Sequence, residues 1–218
     1  MYTVLEWLQS TSEARMLGWN WQTIVTCCAI GIALIQAWSV HIQRMEIEAR
    51  RSLDSVDVPM FLCTGCYFLM FFYYGIHKDG LAIVVNGAQG FLYVTVFIAF
   101  WKYRTVEMMT WKVIAVGAVS VLMIPIMIII QNKESFLMFA LAILLGALAK
   151  QARTILKNDS MGAVSVTYVA TFLVSCVFWL AYATAVGEWP LQVFNSIAIV
   201  IFIAMLKPYV KSKLKLFF

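Results

Sequence analysis

Charge is what this chain of 218 residues has least of: 16 Lys and Arg and 11 Asp and Glu amount to 12% of it, and there are 2 histidines. With 63% hydrophobic residues against so little charge, a soluble globular domain is excluded, because no core of that size hides so much apolar surface. At roughly 20 apolar residues per crossing, the length holds seven or at most eight helices, with no room for a soluble catalytic or receptor domain. A signal peptide is not expected either. The first 22 residues carry Glu6, Glu13 and Arg15 among polar positions instead of a basic start, an apolar stretch and a small-residue cleavage site. Cys27, Cys28, Cys63, Cys66 and Cys176 all fall in apolar runs, and Cys63-x-x-Cys66 lacks the second pair or histidines of a zinc site. They read as small hydrophobes, so neither a metal nor a cofactor is expected. Clusters of acid, base and nucleophile are missing as well, and the chain is expected not to be an enzyme.

What the sequence does have is apolar runs of spanning length. Seven candidates lie at about 23–42, 59–76, 81–101, 111–130, 135–152, 164–186 and 190–206, with edges good to roughly four residues. They must be helices, since lipid-exposed backbone has to satisfy its own hydrogen bonds and the runs lack the alternation of barrel strands. The basic residues test this count independently. Arg15, Lys78 and Lys133 fall on one side, and the other 13 of the 16 Lys and Arg fall in alternate segments on the other. Because short cytoplasmic loops retain the excess of Lys and Arg, the pattern predicts an N-terminus outside, a C-terminus in the cytoplasm and a multi-pass protein of the plasma (cell inner) membrane. The net charge of +5 then reflects orientation and contact with the lipid bilayer, with no case for nucleic acid. No oligomeric state is specified, and a homo-oligomer stays open.

Sliding the chain against itself exposes a weak repeat at an offset of 108, pairing Gln43 with Gln151, Ile47 with Ile155, Ser52 with Ser160, Val56 with Val164 and Tyr74 with Tyr182. One extra residue later, Asn86 meets Asn195. Helices 1–3 and 5–7 start on the same side only because helix 4 carries the chain back. The expected fold is therefore all-α integral membrane, seven transmembrane helices in a 3+1+3 arrangement of parallel three-helix bundles. Its parts are an extracellular N-terminal segment (1–22), a first repeat (23–104), an inverting linker helix (105–134), a second repeat (135–207) and a basic cytoplasmic tail (208–218).

Ser52-Leu-Asp-Ser55 through Pro59, then Phe71-x-x-Tyr74-Gly75, Asp79 and Asn86-Gly87, resemble the first repeat of the SWEET (MtN3/saliva) sugar transporters of the PQ-loop superfamily. Lys157-Asn-Asp-Ser160, Trp179-x-x-Tyr182 and Asn195 are similar to the second repeat. The family's proline hinges are mostly absent: Ser39-Val40 and Ala147-Leu148 stand in helices 1 and 5, Thr167 in helix 6, and only Pro59 remains. Ala183 replaces the glycine after the second tyrosine.

Asp57, Asp79, Asp159 and Glu188 all sit at helix ends, and a proton-coupled carrier needs an embedded ionisable group. Uncoupled movement of a small neutral solute is the simpler expectation. Asn86 and Asn195 fall about five residues, or roughly 7 Å, inside their helix ends, in one layer with Phe71 and Trp179. Amides offer donors and acceptors to hydroxyls, and an aromatic face packs on the apolar face of a sugar ring. The resemblance implies that Asn86 and Asn195 hydrogen-bond the sugar from opposite sides while Trp179 stacks on it. Phe71 occupies the matching place in the first repeat and narrows the site toward a monosaccharide. Tyr74, Tyr182 and Pro59 are candidate pocket or gate residues, although tyrosines at helix ends are more often interfacial anchors. Gln36 and Gln89 are expected to bond between helices, and Gly87-x-x-Gly90 to let helices approach closely. The alternatives are a PQ-loop or PnuC-like carrier of a vitamin, nucleoside or amino acid, or a seven-helix receptor.

Overall fold

The computed structural model describes residues 4–15, 17–104 and 111–214. These residues form ten helices and no strand: α1 (Val4–Ser10), α2 (Ser12–Arg15), α3 (Trp21–Arg50), α4 (Val58–His77), α5 (Leu81–Gly87), α6 (Gln89–Tyr103), α7 (Trp111–Ile129), α8 (Lys133–Asn158), α9 (Val166–Val186) and α10 (Trp189–Leu214). Only Ala88 separates α5 from α6, which together make one span, Leu81–Tyr103. Six spans are long and apolar enough to cross a membrane, and Val113–Ile129 is a shorter apolar helix. They coincide with the seven apolar runs of the sequence. Positions 105–110, at the start of the expected linker, and Lys215 of the expected basic tail lie outside the described residues.

Three helices overrun the bounds expected from hydropathy. α3 continues to Arg50, α8 to Asn158 and α10 to Leu214, well past about 42, 152 and 206, the ends set by the first charged residues. Charge ends an apolar run without ending a helix. In α3 the extension carries the pairs Arg44–Glu48 at 3.2 Å and Glu46–Arg50 at 2.5 Å, spaced one helical turn apart as helix-stabilising ion pairs are. Termination instead comes from left-handed residues at equivalent places, Arg51 (φ 49°) after α3 and Asp159 (φ 45°) after α8. At the starts, Asn20, Asn132 and Ser165 accept from the backbone N–H of Thr23, Ser135 and Tyr168, each satisfying a donor the helix leaves open.

The span α5–α6 packs against both α3 and α4, and α10 packs against both α8 and α9. Between these two groups, α3 lies on α9 and α4 on α8, while α7 lies along α4. Glycine sets the closest approach. A Cβ on Gly87 would come within 2.2 Å of the Phe72 backbone nitrogen, and one on Gly90 within 2.8 Å of that of Leu69, so α5–α6 meets α4 backbone to backbone, as the small-residue spacing predicts.

Candidate functional site

One cavity lies among α3, α4, α5, α8, α9 and α10, and Phe71, Asn86, Trp179 and Asn195 all line it. The four side chains expected to share a layer are therefore brought together. All are buried, with between 1% and 6% of their surface exposed. Phe71 and Trp179 meet edge to face, their ring centroids 6.0 Å apart and the rings inclined at 73°. Trp179 Nε1 is buried with no hydrogen-bond partner among the described residues. A buried, unpaired N–H is costly, and this one belongs to a side chain that lines the cavity.

The asparagines are held differently. Asn86 Oδ1 accepts from Gln89 Nε2 at 2.6 Å, and Gln89 Nε2 also reaches Gln36 Oε1 at 3.2 Å. Ser175 Oγ donates to the same Gln36 oxygen at 2.9 Å. This chain of polar groups ties α3, the α5–α6 span and α9 together, so Gln36 and Gln89 do bond between helices. Asn195 Nδ2 instead donates back to the Leu191 carbonyl at 2.7 Å. Gln36 and Ser175 also line the cavity, a placement that their positions in apolar runs did not signal.

Hydrogen bonds close the structure above and below. At the end where α4 and α9 finish, Tyr74 Oη donates to Glu188 at 3.2 Å and Tyr182 Oη to Glu13 at 3.0 Å. Lys78 pairs with Glu134 at the same end. The Glu13 carboxylate further accepts from the N–H groups of Leu81 and Ala82 at 3.0 and 3.1 Å, at the start of α5, where the helix dipole favours an anion. Tyr74 and Tyr182 are 0% and 2% exposed. The reading as interfacial anchors is thereby corrected: an anchor needs contact with headgroups, and these hydroxyls are committed to carboxylates inside the protein. Neither tyrosine lines the cavity. Pro59 is also away from it, half-buried in the first turn of α4, where proline does not interrupt the helix.

At the opposite, basic end, two glutamines make the same connection twice. Gln43 accepts from the Ser165 N–H at 2.8 Å and donates to the Ala163 carbonyl at 2.9 Å. Gln151 accepts from the Asp57 N–H and donates to the Ser55 carbonyl, each at 2.5 Å. Each amide thus grips the backbone leading into the second helix of the other group. Lys150 adds an ion pair to buried Asp57 at 2.8 Å. Between this end and the cavity, the hydroxyls of Tyr93 and Tyr168 meet at 2.8 Å in a cluster with Phe61 and Phe172. The identity of Gln43 and Gln151 at the repeat offset was the signal that could have flagged them. No pattern in the sequence pointed to Glu13.

The cavity itself is small, about 40 Å³ of space that the centre of a water molecule can reach. A buried water needs roughly 10–15 Å³ on that measure, so the site admits a few waters and no hexose until the walls part. A multi-pass helical membrane protein with a polar and aromatic cavity between two closed ends fits a carrier of small solutes. Residues 23–107 match the family described as "Sugar efflux transporter for intercellular exchange", MtN3_slv. The resemblance to the SWEET (MtN3/saliva) family is thus shown over this segment, less than half of the chain, which holds Pro59, Phe71, Tyr74 and Asn86. Trp179, Tyr182 and Asn195 lie beyond the matched segment. No curated protein matches the chain.

Proposed function

We propose that this protein is a uniporter that lets a small sugar, a monosaccharide, diffuse in either direction across the membrane by alternating access. The convergence of Asn86, Asn195, Phe71 and Trp179 on one cavity carries this reading. Two amides supply donors and acceptors for hydroxyls, the indole supplies a face and an unpaired N–H, and Phe71 limits the width. In this reading the chain is a 3+1+3 protein of seven crossings, with the first repeat at 23–104, a linker around α7 and the second repeat at 135–207. The distribution of Lys and Arg supports an N-terminus outside and a C-terminus in the cytoplasm, as in a plasma membrane carrier. The tyrosine–carboxylate bonds then close the outer end and the glutamine clamps the inner end, and transport alternates which set is broken. Asp57, among the described residues the one carboxylate buried at the inner end, pairs with Lys150 away from the cavity, which favours an uncoupled mechanism.

Glucose counterflow in proteoliposomes tests the reading. Native protein carries glucose, and Asn86→Ala or Asn195→Ala reduces the flux at least about tenfold, the effect of losing roughly 1.4 kcal/mol of binding, while the variants stay folded. Native flux that survives both substitutions unchanged would place the sugar elsewhere.

A further inference from the structure

The repeat offset supplies an internal control for the cavity, because most lining positions have a partner in the other half that also lines it. Thr64 pairs with Phe172, Tyr67 with Ser175, Phe71 with Trp179 and, one residue further on, Asn86 with Asn195. Gln36 pairs with Leu144, and here the two halves differ most. Gln36 is 4% exposed and sits in the bonded group of Asn86, Gln89 and Ser175. Leu144 is 3% exposed and is accompanied by Leu148, Leu191 and Phe194. The two belong to opposite walls: α3 packs on α5, α6 and α9, whereas α8 packs on α4, α7 and α10.

We propose that Gln36 and Leu144 define a polar-to-apolar axis across the cavity, that Gln36 is a specificity-determining residue, and that the favoured cargo is a sugar with hydroxyls along one edge and a bare or methyl edge opposite, as in a 6-deoxyhexose. The inference rests on the reading of this cavity as the sugar site. A hydroxyl turned toward Leu144 and its neighbours exchanges its water for no partner, a penalty that a methyl group in the same place avoids. A hydroxylated edge turned toward Gln36 meets the amides of Gln36 and Asn86 together, their other ends already fixed by Gln89 and Ser175. Asn195, on α10, keeps its Oδ1 and one N–H for a hydroxyl elsewhere on the ring, its other amide hydrogen being bound to the Leu191 carbonyl.

Counterflow of glucose and of 6-deoxyglucose is measured side by side in proteoliposomes for the native protein, Gln36→Leu and Leu144→Gln, with thermal unfolding recorded for each. The native protein is expected to half-saturate with 6-deoxyglucose at a concentration at least about fivefold below that for glucose, within the range that one apolar contact can discriminate. Leu144→Gln abolishes or inverts that preference, a change in ratio that altered folding alone does not produce. Gln36→Leu raises the half-saturation concentration for both sugars. Equal half-saturation in the native protein, or a preference untouched by Leu144→Gln, overturns the axis and leaves the sugar uniporter standing. Folded native protein that carries neither sugar overturns the sugar reading and the axis with it.

Discussion

Trp179 combines a firmly packed ring with a buried polar atom that lacks a partner among the described residues. Its ring is wedged against Phe71 and Tyr182, with centroids 6.0 and 5.1 Å away, and its N–H has no partner among the described residues. Both features are consistent with a site that completes itself with solute. Trp179→Phe keeps an aromatic face and removes the donor, so the half-saturation concentration for transported sugar is expected to rise about five- to tenfold, the effect of one lost hydrogen bond of roughly 1 kcal/mol. Trp179→Ala removes the face too and reduces flux further. Identical kinetics for native protein and Trp179→Phe would show that the indole N–H does not meet the solute. That an indole would lie in this layer was legible from its place in the sixth apolar run. Its missing partner was not, because hydrogen bonds depend on neighbours contributed by other helices.

Elements are held in register by two devices, one of close packing and one of polar capture. The backbone contact of α5 with α4 at Gly87 leaves no space for a methyl group. Gly87→Ala should therefore lower stability by about 1–3 kcal/mol, the usual cost of overpacking, seen as a lower unfolding temperature in detergent. An unchanged temperature would mean that the helices can separate freely there. The amides of Gln43 and Gln151 are the second device, each spanning from a long helix to the backbone before another. Gln151→Leu leaves the Asp57 N–H and Ser55 carbonyl without their bonds and loosens the basic end. Cysteine reagents applied from the cytoplasmic side should then reach a cysteine placed at Tyr168 faster than in an otherwise native chain. Equal labelling rates would remove the clamp from the mechanism. Hydropathy located these helices and missed their full lengths, because charged residues end an apolar run without ending the helix.

At the scale of the molecule, a closed cavity between two sets of breakable bonds fits alternation between outward and inward openings. Neither closure relies on a proline hinge in α3 or α8, where Ser39, Val40, Ala147 and Leu148 continue the helix. The alternation proposed above would move α3–α6 against α8–α10, which meet where α3 lies on α9 and α4 on α8. Because no acidic or histidine side chain among the described residues lines the cavity, adding transported sugar to proteoliposomes under an imposed pH gradient is expected to leave the gradient intact. Its collapse on sugar addition would establish proton coupling and refute a uniporter.

The sequence by itself determined that the chain is a multi-pass helical membrane protein, where its apolar spans lie and which asparagines and aromatics stand at matching positions of the repeat. These properties follow from hydrophobicity and spacing, which act along the chain and are written in it. Tertiary structure alone decided that Gln36 and Ser175 join the cavity, that Leu144 lines it with them, and that Glu13 reaches both Tyr182 and the start of α5. Those outcomes depend on which faces of six separate helices meet, and a hydrogen bond such as Gln43 to Ala163, between residues 120 positions apart, exists only after the helices have packed.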